Sequence, residues 1–356
     1  LDPSSEPNDI LLNSTISYYG SKIVVYLFDF NSMESFSSPS DWILESSIAE
    51  SILQDIVNKR QANGVLPESF GIVKLIPFCL PFDSRMQLLI FLLDIERQGS
   101  EWSHGVHLQI RRSALFEDGF TAFTNLNSNE LKSRIQITFI DETGYQEIGM
   151  DAGGLFKEFL NEICGVIFDS NYGLFLVTDK DQQLYPNPYS TDLLGTECLE
   201  TFLFVGTLVG RAILEKILIG KQFSPFFLRK ILGKINLLNE LSFLDPELHK
   251  NLKFIKNYTG NVEELGITFS MNEPLNPNKV IELRPGGAAI SVTDGNRFSY
   301  IYCVANYKLN EQIRTQLKAF VTGLNRVFPA EFLQIFHESE LQKVISGDAQ
   351  GVDVSE

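Results

Sequence analysis

The chain has 356 residues, 44% of them apolar and 21% charged, a globular composition that excludes a disordered polymer. Its length predicts about two domains, each large enough to bury a core. With 29 basic against 45 acidic side chains, the formal net charge is −16. That balance argues against wholesale binding to nucleic acid or to an anionic membrane, and leaves basic protein partners open.

Residues 1–20 begin polar and read as a loose end, followed by a short apolar run over 23–28 and a Ser-rich loop over 31–40. From Trp42 to Asn58, Ile43, Leu44, Ile48, Ile52, Leu53 and Ile56 recur at helical spacing, and Asn63-Gly64 stops that helix. Asp83 is the expected N-cap of a helix from Ser84 to about Gln98. Residues 106–112 and 134–140 alternate like strands. A helix over 151–167 is expected to be capped by Asp151, with Leu155, Phe156, Phe159, Leu160 and Ile163 on one side. LFLVT and QLYPNP predict a strand pair ending at a proline turn.

The run over 201–220 is long enough to suggest a membrane span, but Arg211, Glu215 and Lys216 inside it point to a buried helix of a soluble protein. Gly206 and Gly210 would let a second helix approach its backbone closely. Asp245 and Pro246 make a strong helix start for 244–258. ITFS (267–270), VIEL (280–283) and AISV (289–292) read as short strands between Pro- and Gly-rich turns. Helices follow over roughly 297–306, 310–324 and 329–337, then a short one stopped by Gly347. The fold class is mainly α with minor β (α+β).

Chemical motifs are few. The glycines before Leu155 and those over 284–296 lack the spacing of phosphate-binding loops, and structural turns explain them better. His104, His107, His249 and His337 offer no zinc-like ligand set, so no metal or cofactor is expected. Cys79, Cys164, Cys198 and Cys303 are spread apart among apolar neighbours, which fits a reducing compartment and inert thiols. With no signal peptide at the start, the expected location is cytoplasmic or nuclear, and Leu1 reads as a boundary and not a translation start.

Two segments look partner-like. In 244–258, Leu248, Leu252 and Ile255 form one apolar stripe beside Asn251 and Tyr258, while Lys250, Lys253, Lys256 and Asn257 make the other side basic. Periodicity alone assigns that stripe to the core first and to a partner groove second. In 296–307, Phe298, Tyr300, Ile301 and Tyr302 are more aromatic than one buried face requires.

The ordered succession GMDAGGLFKEFLNEI, LYPNP, FVGTLVGRAILEKILI, PFFLRKILG, LDPELHKNL, GNVEELGITF, NRFSYI and LQKVISG resembles the N-terminal lobe of a HECT-type ubiquitin ligase, over about 71–350. Within that family it is most similar to the proteasome-associated branch. Residues 1–70 lie outside it and read as a helical extension, and the resemblance implies a large helical subdomain over 71–220, a small α/β subdomain over 221–306 and return helices over 307–350. It implies that a ubiquitin-conjugating enzyme docks on the small subdomain through Leu248, Asn251, Leu252, Ile255, Tyr258, Tyr300 and Val304. It also implies a non-covalent ubiquitin contact at Tyr172 and Phe175. Val304 stands where some members carry an aromatic residue.

Family members pass ubiquitin to a cysteine on a separate C-terminal lobe and then to a lysine of a protein substrate. None of the four cysteines here stands in the family's Thr-Cys context after a Leu-Pro, and the sequence stops about where the hinge to that lobe begins. The expectation is a HECT domain without its catalytic lobe, unable to form the thioester alone. A non-catalytic scaffold that binds substrates through its acidic surface and the 1–70 extension is the alternative from another class. A phosphate-binding enzyme built on the glycine stretches is the third.

Overall fold

The computed structural model describes residues 19–28, 30–31, 34–98, 105–147, 154–273 and 276–347. The chain divides into two compact units, residues 1–99 with 331–340, and residues 100–330 with 341–356. Both are built mainly from helices, and among the described residues the strands form three two-stranded sheets, in line with a mainly α fold with minor β.

In the first unit residues 19–28 are helical, and α1 (Ser46–Asn63), α2 (Glu68–Leu75) and α3 (Phe82–Gln98) follow. Gly64 adopts φ 67°, a left-handed turn that suits glycine and ends α1 at the expected Asn63-Gly64 step. Helix α3 begins at Phe82, so Asp83 sits inside its first turn and favours the helix dipole instead of capping it. Ile56, Phe70, Val73, Leu88, Leu89 and Leu92 form the core with Phe332 and Phe336.

Arg85 fastens this unit. Its side chain is 4% exposed, and its two terminal nitrogens reach the Glu340 carboxylate at 2.6 and 2.7 Å. The same guanidinium donates to the Leu80 and Ile335 carbonyls. Burial raises the pKa of Glu340, but hydrogen bonds from Arg85 and the His337 amide, with the Arg85 charge, leave it lowered overall.

In the second unit β1 (Val106–Arg111) and β2 (Ile135–Ile140) pair in parallel, Val106 opposite Ile135, with α4 (Leu115–Asn125) between them in sequence. Helix α5 (Gly154–Ile167) carries the expected apolar side, and Asp151 lies outside the described residues. Strands β3 (Phe175–Val177) and β4 (Leu184–Pro186) form the expected antiparallel pair.

Helix α6 (Cys198–Leu214) is buried nearly all round, and crosses a later helix, α10 (Arg314–Asn325), at backbone distance. A Cβ on Gly206 would lie 1.9 Å from the Phe320 carbonyl oxygen, and one on Gly323 would lie 1.8 Å from that of Leu203. Gly210 is less pressed, its Cβ meeting the Val327 side chain at 3.1 Å. Thr207 donates its hydroxyl to the Gly323 carbonyl across the crossing. Arg211, fully buried, donates to the Leu131 and Ser133 carbonyls and pairs with Glu215, so the charge that argued against a membrane span is a structural tie. No helix among the described residues is long and apolar enough to cross a membrane.

Helix α7 (Pro225–Ile231) precedes the segment that carries the site. There α8 (Pro246–Asn257) starts as expected, Asp245 accepting the Leu248 amide at 2.9 Å. Strands β5 (Ser270–Glu273) and β6 (Asn276–Glu282) form a hairpin. Of the expected strand 267–270, Ser270 opens β5 and Thr268 makes a single bridge to Ser291, which is all that 289–292 contributes after the turn at Gly286 and Gly287. Helix α9 (Arg297–Asn306) runs into a π-helical turn over Tyr307–Glu311 before α10 begins at Arg314. Residues 330–335 are a 3-10 helix, and α11 (Glu338–Ser346) stops at Gly347 with φ 78°.

Two stability outcomes follow from these contacts. Gly323→Ala forces the helices apart and costs about 3 kcal/mol or more, while Gly210→Ala is far milder because the Val327 side chain needs to give only slightly, both read by urea unfolding. Glu340→Gln leaves Arg85 buried with a weaker partner and costs roughly 3 kcal/mol near neutral pH. Because Glu340 titrates lower in the folded chain, the wild-type advantage is complete above the ordinary glutamate pKa of about 4.3 and fades as pH falls through the folded value.

Candidate docking site

The site is built around three side chains that exclude water, Val262, Phe269 and Val292. Tyr258, Leu265, Ile267, Leu283, Ile290, Tyr300 and Cys303 pack on them and stay partly exposed. Tyr300 of α9 meets the Phe269 ring edge-on at 5.6 Å, and its burial raises the phenol pKa. On the same ring the Arg284 guanidinium lies 3.6 Å from the centroid, closing one side with a cation. Arg297 donates to the Tyr258 carbonyl at 2.7 Å and ties the end of α8 to the start of α9.

A Cβ on Gly260 would fall 2.7 Å from the Tyr258 ring, so the glycine leaves room for that ring over the turn after α8. Gly287 likewise allows the Phe269 carbonyl to approach, where a Cβ would lie 2.2 Å away.

The chain enters and leaves this cluster past one polar clamp. Asn310, on the π turn, donates its amide to the Asn236 carbonyl at 3.0 Å and accepts the Asn236 amide N–H at 3.2 Å. Asn236 also donates to the Phe226 carbonyl at 2.8 Å. Both asparagines are buried. The π turn supplies the extra residue that brings Leu309 and Asn310 inward together.

Seven side chains were expected to form one contact surface, and the structure divides them. Leu248 and Tyr258 are half-buried, Asn251 is exposed and Tyr300 is half-buried beside Phe269. Leu252, Ile255 and Val304 are 1%, 7% and 1% exposed, so in this structure they are core side chains. Leu252 and Ile255 take the α8 stripe into the interior, and Val304 does the same from α9. Leu265 and Ile267 join the half-buried rim, and the sequence reading passed over them because their segment reads as turn and strand. The basic side of α8 also shows Phe254, 57% exposed and 5.3 Å from the Tyr258 ring.

The proposed ubiquitin contacts also separate. Tyr172 lines a cleft of ≈ 310 Å³ with Phe116, Phe120, Leu194, Glu197 and Glu200. Phe175 is fully buried, its ring 5.0 Å from Phe168 and 5.4 Å from Phe202, so it has no surface to offer. Its place at the start of a strand concealed this, because β3 is covered on the side that carries Phe175.

Three of the thiols are raised by burial, as an inert reading expects. Burial pushes Cys79 up to about 11 and Cys164 up to about 12, and raises Cys198 against the hydrogen bond from Ser190. Cys303 is half-buried against the small core. Among the described residues no group of His, Cys, Asp and Glu could hold a metal ion.

With this geometry established, comparison with known proteins decides the family. The sequence profile of the HECT-domain (ubiquitin-transferase) family matches residues 161–356, more than half of the chain. The chain belongs to the HECT-domain family. It is 36% identical over 358 residues to E3 ubiquitin-protein ligase UPL6 of Arabidopsis thaliana, an alignment that takes in 99% of this chain and 34% of UPL6. It is 42% identical over 287 residues to the probable E3 ubiquitin protein ligase C167.07c of Schizosaccharomyces pombe, with 78% of this chain and 27% of that protein aligned. Human ubiquitin-protein ligase E3B is 33% identical over 332 residues, which cover 90% of this chain and 30% of E3B. The chain therefore spans about a third of the length of these relatives.

The division between support and surface has a direct consequence. Leu252→Ala opens a cavity in the core and lowers folding stability by about 2–5 kcal/mol, visible as a depressed melting midpoint. A midpoint that stayed at the wild-type value would place Leu252 on the surface instead.

Proposed function

We propose that this chain is the conjugating-enzyme-docking part of a HECT-type ubiquitin ligase. The observation that carries the reading is the half-buried apolar rim of Tyr258, Leu265, Ile267 and Tyr300 on its own small core, in a chain of this family. Such a rim accepts a few apolar side chains of a partner at little ordering cost, because the core beneath already holds it. The partner is a ubiquitin-conjugating enzyme, and ubiquitin then passes to a cysteine outside this sequence and on to a substrate lysine. Burial raises the pKa of Cys79, Cys164 and Cys198, the opposite of what that transfer asks of a nucleophile.

Titration with a panel of conjugating enzymes, followed by calorimetry, tests the docking. Asn251→Trp adds bulk on the exposed face of α8 beside the half-buried Leu248 and should weaken binding about tenfold or more while leaving the melting midpoint unchanged. Binding that survives this change would move the docking surface elsewhere, and no binding across the panel would favour the scaffold reading.

The Tyr172 cleft supports a second contact of the same machinery. Phe116 and Tyr172 lie 5.3 Å apart between ring centroids, and Glu197 and Glu200 edge them with negative charge. This combination suits an apolar patch with a basic rim, and we assign it to non-covalent ubiquitin. Tyr172→Ala should abolish the shifts of labelled ubiquitin in an NMR titration, and Phe175→Leu should unfold or destabilise the chain without a specific effect on them.

A further inference from the structure

Helix α9 has a face that the docking rim does not use. Tyr300 and Cys303 pack on the small core, and Ile301, Val304 and Ala305 are buried. Phe298 and Tyr302, four residues apart and therefore on one face, remain 59% and 53% exposed. With Leu237, 54% exposed, they line a shallow cleft of ≈ 210 Å³ whose remaining wall includes Lys256 of α8. Two exposed aromatic rings and a leucine around one cleft are an unusual surface for a chain that has no use for them.

The charge beside this cleft is opposite to that of the chain. Lys250, Lys253 and Lys256 recur at every third residue of α8 and all three are exposed. None of them makes an ion pair among the described residues, in a protein of net charge −16. Arg297 adds a guanidinium 5.5 Å from the Phe298 ring centroid. The neighbouring carboxylate of Glu240 is engaged, accepting the Leu237 amide at 2.7 Å and lying 3.9 Å from Arg229. Asp294 lies 3.5 Å from Arg297.

We propose that this cleft docks a short acidic helical segment of a partner protein. Two apolar side chains one turn apart would seat on Phe298 and Tyr302, and carboxylates would face the lysine row of α8. Charge complementarity selects this occupant: a basic segment would meet the lysines, and a second copy of this chain would bring its own −16. A short segment meets the local lysines before it meets the acidic bulk of the protein. The surface lies on the face of α9 turned away from Tyr300, so both partners could bind at once.

A displayed random peptide library tests this, selected on the wild-type chain and counter-selected on the double variant Phe298→Ala/Tyr302→Ala. The peptides lost on the variant should carry net negative charge and two apolar residues three or four positions apart. A synthetic copy of one should bind about tenfold more weakly to Phe298→Ala, and several-fold more weakly to Lys256→Glu or when salt rises from about 0.05 to 0.3 M. Melting midpoints of the variants should match wild type, because both rings are more than half exposed. Asn251→Trp should leave peptide binding intact, which separates this surface from the conjugating-enzyme site. Neutral or basic patch-dependent peptides, or none that depend on the patch, would overturn the proposal. Self-association removed by Phe298→Ala would overturn it too, by assigning the cleft to a second copy.

Discussion

The crossing of α6 and α10 is the constraint on which the second unit depends. Two glycines, Gly206 and Gly323, each face a carbonyl oxygen of the other helix at a distance no Cβ tolerates. Packing at this range replaces side-chain contacts by backbone ones, and Thr207 adds a hydroxyl donor across the same point. The cost is a helix that must be apolar nearly all round. Arg211 is the buried charge in it, and it is placed where its donors serve two carbonyls and a carboxylate.

That crossing is tied to the small core through the end of α9. Helix α10 follows α9 through the π turn, and Asn310 on that turn is bonded to Asn236 on the incoming chain. The small core therefore hangs from two adjacent chain segments joined by a buried amide pair. Such a pair is high-stakes, since loss of either member strands the other in a dry environment. The rim above the core then gains its shape from Tyr258, Tyr300 and the nearby glycines, and it rests on Val262, Phe269 and Val292. In the docking we propose, contact side chains and core side chains lie only three or four residues apart.

Much of this was legible in the sequence where a residue type has one physical meaning. Gly64 and Gly347 ended helices through positive φ, Asp245-Pro246 began one, and the Gly206–Gly210 spacing foretold a close crossing. What the sequence left open were choices that only tertiary packing makes. Gly323 gave no sign of being the partner of Gly206, because the pair is separated by more than a hundred positions. The parallel pairing of β1 and β2 has no short-range signature either. The stripe at 248, 252 and 255 was correctly seen as one face, but periodicity does not say whether a face meets a neighbouring helix or a partner. Its first reading, as core, is what Leu252 and Ile255 show. The aromatic surplus in 296–307 was visible, and the structure divides it between the small core and the exposed cleft.

The central claim is that a conjugating enzyme lands on the rim over Val262, Phe269 and Val292. Amide hydrogen exchange of this chain, with and without a bound conjugating enzyme, tests it directly. The account predicts slowed exchange in the turn and bridge over 258–268 and in the first turns of α9, with α6 unchanged because it is already sealed. Slowing confined to any other surface, with these segments exchanging as in the free chain, would contradict it.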